Sequence, residues 1–310
     1  MKCLIGLLFA TLVASTAMAR DCPPVPQPPT PEAIAQAQQQ AVDRGALWSL
    51  DKDGRRSYLF GSIHLGQFAW TVPGPKLREA WQATRRLAVE IDISDPGFAP
   101  ALMQAQARAA SLVLSPAEQA RLDAQADAAC LPRQALAALH PVLQATTYVS
   151  LSGRRDGLDP SFGQEQVLLA MARAAGRPVL ALETVERQLD VLLPADTIAA
   201  RRLLRQSLDS LERGEARGSL MRLSRAWERG ELARIATPAL LCQCRPSAQE
   251  LVFLTQLNDE RNPYLARRIA DEHAQGEPLL AVVGLLHMTG PQALPRLLEG
   301  LGFKVQRVRF

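Results

Sequence analysis

Apolar and polar positions change rhythm several times along the chain. Two short apolar runs, 47–50 (LWSL) and 58–63 (YLFGSI), flank the polar turn Asp51-Lys52-Asp53-Gly54. Apolar runs around an Asp-Gly turn predict a β-hairpin, with the second strand ending at His64. Residues 75–85 have helical spacing. Residues 86–93 (RLAVEIDI) read as a buried strand that carries Glu90 and Asp92. From 99 to 150 the chain is rich in Ala, Leu and Gln at helical spacing, broken by Pro116, Pro132 and Pro141. A helix over 163–176 and a strand over 178–182 follow, and that strand delivers Glu183. Helical spacing resumes from 195 to about 276, with a break near 238–246. Residues 279–286 (LLAVVGLL) are the most apolar strand, and they deliver His287. A helix over 291–301 and a strand over 304–310 close the chain. Strands alternating with helices at both ends, with helical blocks between, predict an α/β fold: a mixed central sheet flanked by helices, with a large helical insert at about 99–176 and 195–276. A separate helical cap domain fits the same pattern.

The first residues change the expected compartment. Lys2, an apolar run over 4–13 and Ala17-Met18-Ala19 form the pattern of a secretory signal peptide cleaved near Ala19. The run is shorter than the roughly 20 residues that span a bilayer. Arg20 and Asp21 before Cys22 do not fit a lipoprotein. The expectation is export, to the periplasm or outside the cell, as a mature chain without a transmembrane segment. Residues 22–31 (CPPVPQPPTP) favour an extended polyproline segment. The expected layout is a signal peptide over 1–19, a proline-rich leader and helix over 20–45, and a single α/β domain over 46–310.

Export also changes the reading of the cysteines. Losing Cys3 leaves Cys22, Cys130, Cys242 and Cys244. An even count in an oxidising compartment predicts disulfides. Cys242 and Cys244 are close enough in sequence to strain a direct bridge. The favoured pairing joins Cys22 and Cys130 each to one of the Cys242/Cys244 pair. A single C-x-C is not the usual structural zinc spacing. The formal charge of +4 becomes +3 without Lys2 and is spread along the chain, which gives little reason to expect a nucleic-acid partner. With 8 Phe, 4 Trp and 3 Tyr in 310 residues, a carbohydrate-stacking platform is not obvious.

Only four histidines are present. His140 precedes Pro141 at a helix end, and His273 falls in the last turn of a helix, where a positive charge suits the dipole. His64 and His287 differ. Each follows an apolar strand, and each has a glycine three positions earlier, Gly61 and Gly284. Glycine permits close backbone approach. Open α/β sheets bind ligands beyond the carboxyl ends of their strands. Two strand-end imidazoles could therefore meet at one place. The zincin H-E-x-x-H, the G-x-S-x-G elbow, Walker A and G-x-G-x-x-G are all absent from the sequence.

An ordered set of companions adds to this pair. Gly61-Ser62-Ile63-His64 with Gly66 is followed by Glu90 in LAVEID, by Gly157-Leu158-Asp159, and by Leu182-Glu183-Thr184 with Gln188. Arg261-Asn262 comes next, then Gly284 to His287 with Gly290. In this order, from residue 47 to the C-terminus, the chain resembles the TraB/GumN family, which is related to the Tiki proteases. The resemblance implies a fold similar to erythromycin-esterase/ChaN-like and Tiki-like proteins. It also implies a divalent-metal-dependent hydrolase, with peptidase activity in the animal relatives. His64, His287 and Glu90 would form the metal-and-water centre, with Glu90 a third ligand or the general base. Asp159, Glu183 and Asn262 would be supporting or additional ligands, and Arg261 would pair with a carboxylate or stabilise an oxyanion. Imidazole and carboxylate donors suit Mn²⁺, Co²⁺ or Zn²⁺.

Plainer roles exist for the supporting residues. Asp159 stands where a cap belongs before Pro160, Glu183 could cap the helix after it, and Arg261 could bridge two helices. Two other functions fit the same residues. One is a non-catalytic periplasmic protein that binds a peptide or glycan and assists polysaccharide production or signalling. The other is a small-molecule esterase.

Overall fold

A computed structural model describes residues 22–310. The expected signal peptide lies outside these residues. Strands β1 (Ala46–Lys52) and β2 (Arg55–Ser62) form the expected hairpin. Asp53 and Gly54 both adopt positive φ, 50° and 71°, as a two-residue turn between twisted strands requires. The remaining strands are β3 (Arg86–Val89), β4 (Val179–Ala181), β5 (Leu279–Gly284) and β6 (Lys304–Val308). They form one sheet in the order β4-β3-β5-β2-β1-β6. The first four in that order run parallel, and β1 is antiparallel to both β2 and β6. β3 and β5 lie inside the sheet, and Leu87 to Val89 and Leu279 to Val283 are fully buried. Strands covered on both faces read as continuous apolar runs, which explains the lack of alternation there.

The strands end earlier than their apolar runs. β3 stops at Val89, so Glu90 leaves the ladder. β5 stops at Gly284, and Leu285–Met288 form a single 3-10 turn that carries His287. Apolarity marks burial here, not pairing.

The helices are α1 (Pro31–Gln39), α2 (Pro75–Ala83), α3 (Phe98–Arg108), α4 (Pro116–Ala128), α5 (Pro141–Leu151), α6 (Gln164–Ala174) and α7 (Val185–Leu192). They continue as α8 (Thr197–Glu212), α9 (Glu215–Glu228), α10 (Leu232–Ile235), α11 (Pro238–Cys242), α12 (Ala248–Leu254), α13 (Asn262–Ala274) and α14 (Leu294–Gly300). Pro116 and Pro141 are first residues of helices, the position where a missing N–H costs nothing.

Two apolar cores result. One surrounds the sheet and includes Phe60, Val89, Leu182, Trp227 and Val282. The other is built by α3, α4, α5, α7 and α8, through residues such as Leu122, Tyr148, Leu189, Leu204 and Leu208. The chain passes between the cores twice at short range. Val89 belongs to the sheet core while Ile91 packs on the helical one, and Leu182 belongs to the sheet core while Val185 joins the helical one. Glu90 and Glu183 therefore sit at the seam.

The disulfides correct the expected pairing. Cys22 bridges Cys130, and Cys242 bridges Cys244. The proline-rich leader brings Cys22 to the C-terminal end of α4, with the two Cα atoms 5.6 Å apart. The short bridge forms because Gln243 is left-handed (φ 54°, ψ 38°) and curls the backbone, so the Cα atoms of Cys242 and Cys244 are only 5.1 Å apart. That separation is within the ordinary disulfide range; an extended backbone would have exceeded it.

Candidate metal centre

Four parallel strands each deliver one polar residue just beyond their carboxyl ends: β2 His64, β3 Glu90, β4 Glu183 and β5 His287. This edge is where open α/β sheets hold ligands. The backbones there are tied together. Leu182 N–H donates to Val89 O at 2.8 Å, and Glu183 N–H donates to Glu90 O at 3.1 Å.

Glu90 is 5% exposed and lies at the centre. Its Oε1 accepts the Gly284 N–H at 2.8 Å, and its Oε2 accepts from Arg261 Nη2 at 2.8 Å. Gln188 Nε2 approaches the same Oε2 at 3.4 Å. Burial alone would raise the carboxyl pKa. The imidazoles of His287 and His64, the Arg261 guanidinium and the Gly284 N–H outweigh burial and hold it at about 2.

Arg261 precedes α13, directly after a wide helical turn over Thr255–Asp259. Wide turns of this kind often mark functional positions. Its guanidinium also bonds both oxygens of Glu183, with Nε to Oε2 at 3.2 Å. Burial shifts the Glu183 carboxyl upward, against the pull of Arg261. Arg261 thus links the two carboxylates at the seam.

The two imidazoles are held alike. His287 Nδ1 meets Asn262 Oδ1 at 2.5 Å, and Asn262 Nδ2 donates to His287 O at 3.1 Å and Gln292 O at 2.8 Å. Arg261 Nη1 approaches His287 Nε2 at 3.3 Å and can only donate. The His287 proton therefore sits on Nδ1, and Nε2 keeps its lone pair. Burial lowers the His287 pKa to about 4, so the ring is neutral at pH 7. His64 Nδ1 likewise faces an oxygen, Glu165 Oε1 at 3.1 Å. The Glu165 carboxylate shifts the His64 pKa upward, and a cation bound at Nε2 would take the place of the second ring proton.

Gly284 connects these groups. A Cβ placed on it would lie 3.3 Å from Glu90 Oε1 and 3.8 Å from both His287 Cδ2 and His64 Nε2. Both rings therefore border one small space, and only glycine leaves it open. At Gly61 a Cβ would collide with the Leu285 side chain, so that glycine serves packing between β2 and the turn after β5. Gly66 and Gly290 lie outside the cluster. Gly66 pairs through its backbone with Asp159, and Gly290 forms a turn at φ 85° against Asp259.

Glu165 was not anticipated from the sequence. It lies in the first turn of α6, where an acid has an ordinary explanation in the helix dipole. In the fold its Oε1 accepts from Ser62 Oγ as well as facing His64, and its Oε2 is buried without a hydrogen-bond partner. His64, Glu90 and Glu165 each place a donor atom within 4.8 Å of the others. Nothing in the sequence marks it; in the fold, Gly163 two residues earlier lets the chain pass close to His64, where a Cβ would strike His64 O. Asp159, by contrast, points its carboxylate at Arg154 Nε (2.6 Å) and at the Ser161 N–H (2.8 Å), which caps the turn at Pro160–Phe162. Asp92 similarly accepts from Ser94 N–H and pairs with Arg173.

A divalent cation fits this donor set. Imidazole nitrogen and carboxylate oxygen are borderline-to-hard ligands. The orphaned Glu165 Oε2 lacks the partner that a buried acceptor normally has. The cluster also holds three glutamates, Glu90, Glu165 and Glu183, against Arg261.

A parallel-edge α/β sheet with a histidine–glutamate centre at its carboxyl side defines an α/β protein with a potential metal site. The chain belongs to the TraB/PrgY/gumN family, whose model matches residues 46–307. No curated protein and no solved structure matches the chain. Among the described residues, no helix is long and apolar enough to cross a membrane.

Proposed function

We propose that the chain is an exported, divalent-metal-dependent hydrolase acting on peptides. The observation that carries this reading is the convergence of His64, Glu90 and Glu165 within 4.8 Å, with a buried Glu165 oxygen that has no hydrogen-bond partner among the described residues. His287 Nε2 lies 3.8 Å from Glu90 Oε2 and would become a fourth donor on exchanging its contact with Arg261 Nη1 for the cation. When bound there, Mn²⁺, Co²⁺ or Zn²⁺ would lower the pKa of a water and polarise a carbonyl.

The protein's own groups have distinct tasks. Glu165 and Asn262 face Nδ1 of the two rings, which turns His64 Nε2 toward the open space beside Gly284 and leaves His287 Nε2 near Glu90 and Arg261. Arg261 fixes the Glu90 carboxylate, and Glu183 balances Arg261. The exposed flank of His64 gives a substrate its approach. Two disulfides agree with an oxidising compartment.

The test is purification without chelator, followed by metal analysis of the wild type and of His64→Ala, His287→Ala and Glu165→Gln. We expect about one divalent ion per chain, lost in the variants, and chelator-sensitive cleavage in a peptide library. A wild type that holds no metal and takes up none of the three ions would overturn the reading. Metal binding without cleavage would instead identify a non-catalytic binding protein.

A further inference from the structure

The C-x-C bridge lies outside the proposed metal centre and is independent of it. Cys244 is exposed and Cys242 is half-buried, at the end of α11. The bridge spans a separation of 2 residues, against 108 for Cys22–Cys130. Cross-links that close short loops remove the least chain entropy from the open form. The closed form also holds Gln243 in the left-handed region, which costs a residue with a side chain but not glycine. Opening the bridge frees that residue.

The surroundings favour an opened thiolate. Arg222 on α9 donates to Leu241 O, to Cys242 O at 3.2 Å and to Gln243 Oε1 at 3.3 Å. Its guanidinium is thus fixed beside the Cys242 end of the turn, and a neighbouring cation stabilises a thiolate. The same bonds would keep α11 docked on α9 after the bridge opens. Among the described residues, the Cys244 side is held before the Ser247–Glu250 cap of α12 only by the Cys244 N–H donating to Cys242 Sγ at 3.1 Å, a bond that also favours negative charge on that sulfur. Exposed disulfides with a strained closed form are the labile class.

We propose that Cys242–Cys244 is a reversible thiol–disulfide exchange site whose reaction partner is a dithiol reductant. A thiolate of the reductant attacks the exposed Cys244 Sγ, the Cys242–Cys244 bond breaks, and Cys242 leaves as a thiolate beside Arg222. The second thiol of the reductant then displaces Cys244 and closes its own disulfide. Two electrons pass from the reductant to the protein; the proton of the attacking thiol goes to solvent, and that of the second thiol is taken up by the released Cys244 thiolate. The consequence is local: the connection from α11 to α12 loosens, while the sheet and the Cys22–Cys130 bridge stay closed.

The experiment equilibrates the full-length folded protein in dithiothreitol redox buffers of stepped ratio. Free thiols are trapped by alkylation, and both cysteine pairs are quantified by peptide mass. Cys22–Cys130 is the internal reference. We expect Cys242–Cys244 to reach half-reduction at a ratio of reduced to oxidised dithiothreitol at least tenfold lower. Hydrogen exchange over 243–254 should rise on reduction, and Cys242→Ser/Cys244→Ser should reproduce the rise in oxidising buffer. Co-reduction of the two bridges, or unchanged exchange over 243–254 in both the reduced protein and the double variant, would overturn the proposal. Neither readout depends on bound metal or on hydrolysis, so failure here is separate from failure of the hydrolase reading.

Discussion

Arg261 Nη2 donates both to Glu90 Oε2, at 2.8 Å, and to Glu183 Oε1, while Nε donates to Glu183 Oε2, so one guanidinium serves two buried carboxylates from neighbouring strands. The Arg261 side chain is 4% exposed, and those of Glu90 and Glu183 are 7% and 0%. Arg261→Ala leaves both acids buried without their cation. Breaking a buried pair in this way costs about 3–5 kcal/mol. Glu183→Gln keeps a hydrogen-bonding partner for Arg261 and should cost less than half as much. Urea unfolding followed by tryptophan fluorescence checks both. Equal losses would show that Arg261 does not hold the two carboxylates as one unit.

The sheet was legible because its strands are apolar and its turns carry Gly or Pro at the right places. The Asp53-Gly54 hairpin is the clearest case. Helix starts were legible through Pro116 and Pro141. Strand ends were less so, since Glu90 and His287 lie beyond their ladders while the apolar run continues. His64 and His287 stood out as strand-end histidines three residues after a glycine, and Glu90, Glu183, Arg261 and Asn262 because a family resemblance ordered them around that pair. Glu165 did not, because an acid in the first turn of α6 looks like a dipole partner. Asp159 stood out but is taken by Arg154 and Ser161. The cysteine pairing failed because a left-handed Gln243 cannot be read from its neighbours.

Asn262 should fix the tautomer of His287. With Asn262 Oδ1 on Nδ1, the wild-type ring is the Nδ1–H form and neutral well above its pKa of about 4. Long-range ¹H–¹⁵N spectra between pH 6 and 8 should show that form unchanged. Asn262→Leu strips the Nδ1 proton of its acceptor and leaves His287 O and Gln292 O without their donor. The expected cost is about 1–3 kcal/mol per group left unpaired, and metal affinity should fall about 10- to 100-fold. An Nε2–H signal in the wild type would contradict the assigned hydrogen bonds.

The two motif glycines should fail differently. Gly284→Ala adds a methyl group 3.3 Å from Glu90 Oε1, in the space bordered by His64 and His287. The protein should stay folded, with less than about 1.5 kcal/mol lost, but bind divalent metal at least tenfold more weakly. Gly61→Ala drives a methyl group into the Leu285 side chain. It should cost about 1–3 kcal/mol through overpacking, with metal binding retained in the folded fraction. Calorimetric metal titration alongside denaturant unfolding separates the two. The reverse pattern would place the open space at the wrong glycine.

Acid stability of the helical core should depend on Glu118. The Ser115 N–H, its largest stabilising partner, with Arg201, the Ser115 hydroxyl and Arg205, holds the Glu118 carboxyl at about 2, below its ordinary 4.5. The side chain is 4% exposed and pins α4 to α8 through Arg201 and Arg205. A carboxyl depressed in the folded state stabilises the fold above its unfolded pKa, and that contribution disappears as the pH falls toward the folded one. The window is therefore from about pH 5 down to pH 2, and the contribution at neutral pH is at most about 3 kcal/mol. Glu118→Gln should be less stable than the wild type at pH 7, and the two should converge near pH 2. Far-UV circular dichroism is the suitable probe, because Trp48, Trp70, Trp81 and Trp227 all pack with the sheet core and do not sense the helical one. If the gap between wild type and variant stayed constant from pH 7 to pH 2.5, Glu118 would not be the group that links this core to acid.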